Sequence, residues 1–473
     1  MPPKAEKPRI YINAFEMITP SHQSFGQWKR PEDKGLTKGR NLAYWTNLAQ
    51  LLEKGGVTSL FLADAYSQND MYKGNASTAV RTACQFPIAD PVVPISAMAA
   101  VTKRLTFAIT ASTSFEAPYV LAKRFSTLDN MTDGRFGWNI VTSTKKSAFD
   151  AVGIPLVAHD TRYEVADEYM EVVYKIWEGS WADDALKEHE ETGVFADPAR
   201  IRTIEHKGPH FNVRGMHIVE PSPQRTPFLF QAGTSPAGIA FAARHAEGTF
   251  VSGLSAHIIA PRVAAIRAEA AKLGRDPQSI KVFAMMTPIV GQTDEEAQEK
   301  YKRALAYADE EAGLALFSSN AGIDLSKYDL DTRITPDDIT IDDRVHSMVN
   351  SLSYRGDDLP AWTPRNIGKQ LALGGNAPLP IGSAATVADF LEGFMAVADV
   401  DGFNMCHVTT PGSYEDLVEL LIPELRRRGR YPVVDDPGER GTLREQIYGR
   451  GQSRLRSDHV GSTWKYDCYP EDK

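Results

Sequence analysis

The side chains with chemical capacity recur at one kind of place, at or just beyond the end of a short apolar run. Asp64 closes SLFLAD (Ser59–Asp64), Thr110 and Ser112 lie at the end of LTFAITAS (Leu105–Ser112), and Asn139 sits inside DGRFGWNIVTS (Asp133–Ser143). His159 and Tyr163 are four residues apart, which on a helix places them on one face. Both can donate hydrogen bonds to a phosphate or a sugar-alcohol chain. In AGTSPAG (Ala232–Gly238), Ser235 suits a helix cap and Pro236 the first helical position. The free N–H groups of such a helix start form an anion site. The plainer reading is an ordinary capped helix.

A second set of residues is weaker. His22 and Trp28 follow RIYINAF (Arg9–Phe15) in a polar loop and could line a substrate mouth, although a lone loop histidine is commonly just exposed. His407 reads as a satisfied core histidine, and Arg162 as solvent-facing or paired. Asn139 is more pointed. A buried amide must be hydrogen-bonded, either to neighbouring backbone or to a ligand rich in donors and acceptors, such as the pyrimidine edge of a flavin.

The elements that would carry these residues follow a rhythm. Strand, polar loop and helix alternate four times up to Asn139, and the rhythm resumes at PFLFQ (Pro227–Gln231), with eight strands in all. Such alternation requires a parallel sheet covered by helices. Polar residues gathered after the strands are the mark of a (β/α)8 barrel, whose site lies at the strands' carboxyl ends. The fourth strand is entered through Asp133-Gly134; Phe136, Trp138 and Ile140 point one way, Gly137, Asn139 and Val141 the other. The helix after it is expected to start with a capping box, Thr161 and Glu164. Residues 1–428 read as a single barrel domain. Insertions fall at about 178–225, with a hairpin around His210–Gln224, and at 312–380, a long polar stretch of the kind that forms lids. The polar tail 429–473 is a candidate inter-subunit arm.

Composition narrows the class. With 473 residues, 42% hydrophobic and 24% charged, the chain is that of a globular protein with a sizeable core. A net charge of −9 offers no basic excess for nucleic acid. Cys84, Cys406 and Cys468 lie far apart without metal-type spacing, which suits a reducing compartment. No apolar leader or membrane-length run is present, so the expectation is a cytoplasmic protein away from the membrane. No G-x-G-x-x-G, Walker, H-E-x-x-H or G-x-S-x-G motif occurs.

Six stretches, taken together, carry a family resemblance: SHQSFGQWKRP (Ser21–Pro31), LADAY (Leu62–Tyr66), STLDNMTDGRFGWNIVTS (Ser126–Ser143), HDTRYEVADEYMEVVYKIWEGSW (His159–Trp181), PSPQRTPFLFQAGTSPAG (Pro221–Gly238) and TLREQIYGRG (Thr442–Gly451). They span nearly the whole chain. The chain resembles the bacterial luciferase-like flavin monooxygenases, in the group that holds nitrilotriacetate monooxygenase component A and the dibenzothiophene-sulfone and long-chain alkane monooxygenases. It departs in having Phe136-Gly137-Trp138 for the usual Val/Ile-Ala-Trp and DNMTDGR for DHLTKGR.

The resemblance implies a (β/α)8 barrel with FMN at the strands' carboxyl ends. It implies FMN contacts at Asp64, Thr110 (or Ser112), Asn139, His159, Tyr163 and Ser235, with His22 on the substrate side. It further implies a two-component monooxygenase that takes reduced FMN from a separate NAD(P)H-dependent flavin reductase. Dioxygen would be used through a flavin peroxide to oxygenate a small organic substrate, in a homodimer or homotetramer. The alternatives are an F420-dependent oxidoreductase of the same superfamily and a non-catalytic flavin-binding relative.

Overall fold

Eight short strands close on themselves. The computed structural model describes residues 9–335, 362–433 and 441–470. The strands are β1 (Tyr11–Met17), β2 (Ser59–Ala63), β3 (Thr106–Ser112), β4 (Phe136–Val141), β5 (Phe228–Gln231), β6 (Gly248–Val251), β7 (Lys281–Met286) and β8 (Gly402–Met405). All pair in parallel with their sequence neighbours, and β8 closes on β1, with Tyr11 opposite Gly402. This is the barrel the alternation predicts.

The helices that matter for the site are α1 (Leu42–Gly55), α2 (Pro118–Met131), α3 (His159–Tyr174), α4 (Pro236–His245), α5 (Glu310–Ala321), α6 (Pro364–Ala372) and α7 (Leu443–Tyr448).

β4 follows the period-two reading. Asp133 and Gly134 both adopt positive φ, 53° and 75°, and turn the chain into the strand. Phe136 and Trp138 face outward, where Phe125 of α2 lies 5.1 and 5.7 Å from them, ring to ring. Gly137 faces inward, where a Cβ would come within 2.9 Å of Leu443 and 3.0 Å of Phe230. Side chains that alternate in this way belong to two cores, one between barrel and helices and one inside the barrel.

The inner core is aromatic. Phe61, Phe230, Phe250 and Phe283 fill it, with Phe61 and Phe230 stacked on Phe250 at 4.3 and 5.0 Å. Its floor is α7. Leu443 and Ile447 enter from the strands' amino ends, the Leu443 N–H donates to Gly134 O (2.8 Å), and the Tyr11 hydroxyl donates to Ile447 O (3.1 Å). Fully buried Arg444 donates to both carboxylate oxygens of Glu247 (2.7 and 2.9 Å) and to Thr226 O (2.9 Å). The tail that the sequence leaves as a candidate arm thus packs against its own barrel along residues 441–470.

Three local expectations need correction. The hairpin of the first insertion pairs Thr203–Lys207 with Asn212–Met216, earlier than the His210–Gln224 reading, and a second pairs Leu186–His189 with Val194–Ala196. Only Ile204 and His206 of TIEHK are buried, so the charged alternate positions disguise a strand as loop. The helix α3 starts at His159, two residues before the expected capping box, with Ala158 as a cap that makes no side-chain bond. Arg162, read as solvent-facing or paired, is buried there and donates to Val157 O. The second insertion is not a long polar loop at its ends: α5 and α6 cross at Gly313 and Gly368, and Phe317, Ile367, Leu371 and Trp362 form a satellite core. Its centre lies outside the described residues.

Candidate active site

A cavity of about 310 Å³ opens at the carboxyl ends of β2 to β5. Asp64, Thr110, His159, Tyr163 and Ser235, five of the residues singled out in the sequence, line it. Their neighbours on the wall include Thr142, Lys145, Gln231, Gly233, Thr234 and the apolar Ile140, Ala148 and Phe241.

One end is built by α3 and α4. The Ser235 Oγ accepts from the Gly238 N–H at 3.1 Å and Pro236 takes the first helical turn, as the AGTSPAG reading expects. Two glycines bring the helices together: a Cβ on Gly233 would collide with Gln231 Nε2 and the Tyr163 hydroxyl, and one on Gly238 would lie 2.9 Å from that hydroxyl. The Tyr163 hydroxyl bonds the side chains of Ser235 and Gln231, and burial raises its pKa. His159 Nε2 lies 3.3 Å from Ser235 Oγ, while its Nδ1 lies 2.7 Å from Asp160 Oδ1. A helix N-terminus surrounded by a phenol, an imidazole and a hydroxyl is a donor-rich anion cradle.

The middle of the cavity rests on β3 and β4. Asn139 is buried, and its Nδ2 donates to Thr110 Oγ1 at 3.0 Å. Its Oδ1 finds no hydrogen-bond partner among the described residues, and neither do Gln231 Oε1 and Thr234 Oγ1. Of the two third-strand hydroxyls, Thr110 lines the cavity, whereas Ser112 accepts from the Ser143 hydroxyl at 3.0 Å. At the far side Asp64 accepts from the Ala65 N–H at 2.9 Å; burial raises its carboxyl to about 6, against the opposing pull of that bond.

His22 is not on this wall. It is buried edge-on against Phe15 at 4.4 Å, its Nδ1 lacks a partner among the described residues, and burial holds its pKa down at about 3, so it is neutral. Trp28 lies apart as well, its indole N–H donating to Thr82 O. His407 is satisfied in the core, as the sequence suggests, between Lys38 Nζ (3.2 Å) and the Tyr414 hydroxyl (3.3 Å).

Sequence reasoning missed Gln231, Thr142 and Lys145. Gln231 carried a usable signal, since it ends PFLFQ as Asp64 ends SLFLAD. Thr142 and Lys145 did not stand out from an ordinary polar loop.

The model of the family described as luciferase-like monooxygenase matches residues 25–398. The dimethyl-sulfide monooxygenase of Hyphomicrobium sulfonivorans is 43% identical over 464 residues, covering 98% of this chain and 95% of its own. The long-chain alkane monooxygenase of Geobacillus thermodenitrificans is 42% identical, with 97% and 98% covered. The solved structure of a long-chain alkane monooxygenase superposes with a TM-score of 0.88 over 97% of this chain and 100% of that one. A riboflavin lyase solved with modified FMN and riboflavin superposes with a TM-score of 0.88 at 36% identity, over 97% of this chain and 99% of that one.

Proposed function

The chain belongs to the luciferase-like monooxygenase family, and from that premise we propose that it binds reduced FMN in the β2–β5 cavity and oxygenates a small organic substrate there. One observation carries the cofactor reading: buried polar atoms of Gln231 and Thr234 stand without partners on the wall of a cavity whose far end is a donor-rich helix start, and that of Asn139 stands without one behind Thr110 of the same wall. Buried polar atoms are normally satisfied, and a bound molecule is the ordinary way to satisfy these.

The residues fit FMN by chemical type. The α4 N-terminus, Ser235, Tyr163 and His159 offer donors for the phosphate. Asn139 Oδ1 offers an acceptor for a ring N–H, and Thr110 and Asp64 offer further polar edges. Ile140, Ala148 and Phe241 supply apolar walls that keep water off a reactive centre. Bound there in reduced form, FMN supplies the two electrons with which dioxygen is activated for oxygen transfer.

The chain's own part is binding, orientation and exclusion of water, together with one proton-holding group. Asp64 commits one oxygen to the Ala65 N–H, so below about pH 6 the other carries a proton facing the cavity. His22, buried, neutral and off the wall, is kept as a candidate on the substrate side. In the two-component pattern that the family resemblance implies, the reduced cofactor comes from a separate NAD(P)H-dependent reductase. Among the described residues no helix is long and apolar enough to cross a membrane, and the three cysteines are free thiols. A reducing, cytoplasmic setting suits both. Relatives at 43% and 42% identity are both named monooxygenases, which ranks oxygenation ahead of the F420-dependent alternative.

The test is an anaerobic titration of the protein with reduced FMN and reduced riboflavin, followed by oxygen uptake with candidate substrates. FMN should bind at least about tenfold more tightly, the contribution of a phosphate held by charge-assisted hydrogen bonds. Equal affinity for the two flavins would sink the phosphate assignment. Oxygen uptake that never yields an oxygenated product from any thioether, alkane or sulfone would sink the oxygenase reading.

A further inference from the structure

On the cavity wall, away from α4, stands a charged side chain that the cofactor reading leaves unused. Lys145 follows β4 and lines the cavity, and its Nζ donates to Asn69 Oδ1 at 2.7 Å. Asn69 is 1% exposed, and its Nδ2 is committed to Cys84, at 3.3 Å from the carbonyl and 3.5 Å from the sulfur. The amide is therefore fixed by a second loop and can present only its oxygen to the amine.

That arrangement holds the ammonium in place without neutralising it. Among the described residues Lys145 makes no ion pair; Asp70 acts on it only as a more distant charge. Cys84 is itself a neutral thiol, pushed up to about 12 by burial. Burial likewise pushes the pKa of Lys145 down. A half-buried ammonium with one neutral partner retains donor capacity and an electrostatic incentive to meet an anion.

The FMN phosphate is the nearest alternative anion, and the architecture argues against it. The phosphate cradle is built from β5, α4 and α3. The Asn69 loop instead follows β2 and is tied to α5, through the Met71 N–H to Ser319 Oγ (3.2 Å) and the Cys84 thiol to Ala312 O (3.3 Å). Lys145 is thus tied to the loop after β2 and, through it, to α5, and not to the phosphate cradle. We propose that Lys145, positioned by Asn69, is a specificity-determining contact for an anionic group, a carboxylate or sulfonate, carried by the organic substrate. The proposal rests on the oxygenase reading for the term substrate. The anion contact itself is measurable without flavin.

The experiment is calorimetric titration of the flavin-free protein with hexanesulfonate and hexanol, which share an apolar tail. The wild type should bind the sulfonate about tenfold or more tightly, the factor expected of one charge-assisted hydrogen bond. Lys145→Met should abolish the preference, Lys145→Gln should repeat the loss, and Lys145→Arg should retain it, so that misfolding of one variant cannot imitate the result. FMN affinity should stay within about twofold in all three, as expected for a side chain that makes no phosphate contact. Equal binding of the two probes by the wild type would overturn the proposal, as would a preference that survives in Lys145→Met. A loss of FMN affinity of about tenfold in Lys145→Met would hand the amine to the cofactor phosphate and overturn it too. Failure of the wild type to bind FMN would count against the oxygenase reading alone, because the probe titration needs no flavin.

Discussion

Two lysines at the carboxyl face of the barrel, one buried and one half-buried, live in opposite circumstances. Lys38 and Glu16 are both fully buried and joined at 2.7 Å. Around them the Tyr44 hydroxyl donates to Glu16 Oε1 (3.2 Å), His407 takes the second contact of Lys38, and Tyr414 bonds His407 and Phe15 O. None of these side chains leaves a buried polar atom unpartnered. Lys145, across the barrel, has one neutral partner, and the cavity it lines carries unpartnered oxygens of Gln231 and Thr234, with that of Asn139 behind Thr110. Both regions are polar; one is complete and the other is not. A complete network fixes structure, whereas an incomplete one is completed by something that binds.

The largest effect that could break this contrast is on stability. Removing one partner of the buried pair, by Lys38→Met or Glu16→Gln, should cost about 3–5 kcal/mol in urea denaturation, because it leaves an uncompensated buried charge or donor. Lys145→Met should cost no more than about 1 kcal/mol, the value of a single hydrogen bond. If the two lysine variants were equally destabilised, the distinction would collapse.

Next comes the phosphate end. Tyr163→Phe with Ser235→Ala should weaken FMN binding by about tenfold to a hundredfold, since bonds to a charged acceptor contribute about 1.5–3 kcal/mol each. Flavin fluorescence quenching reads this directly, and an unchanged Kd would place the phosphate elsewhere.

Asn139→Leu should act more gently. It removes both the bond to Thr110 and the unpartnered oxygen, so the flavin-free protein should keep its stability within about 1 kcal/mol. Flavin affinity should nevertheless fall about fivefold for the lost ring contact. A variant that binds flavin normally would make the orphan oxygen a mere packing defect.

The smallest effect concerns pH. Asp64 titrates near 6 in the folded protein and near the ordinary carboxylate value when unfolded. The folded state then holds the extra proton between those values, so the stability contributed by this group falls as pH rises from about 4 to about 6 and is level above. Denaturation curves for wild type and Asp64→Asn should diverge over that interval. Parallel curves would refute the raised pKa.

How much of this was legible in the sequence depends on the range of the interaction. The period-two alternation of FGWNIV and the Ser-Pro start of α4 are local, and both appear as read. The α3 start was misjudged because Asp160 and His159 already belong to the first turn, so the Thr161–Glu164 pair sits inside a helix and caps nothing. Glu16, Lys38 and His407 could not be matched by inspection. Glu16 lies within a strand, Lys38 in the loop after it, and His407 369 residues further on; only barrel closure makes them neighbours. Lys145 gave no local signal for the same reason: its meaning comes from Asn69, 76 residues earlier.

The floor helix has a consequence for the order in which the protein can be made. Leu443, Arg444 and Ile447 fill and lock the barrel's lower mouth, yet they follow the last strand by some forty positions. A nascent chain that has already extruded every strand still exposes the undersides of Phe228 and Phe230 and leaves Glu247 without its guanidinium. The barrel therefore holds its stacked phenylalanines in an unsealed vessel until α7 has been made, and the arrival of that helix, not completion of the sheet, is the moment at which the inner core becomes dry.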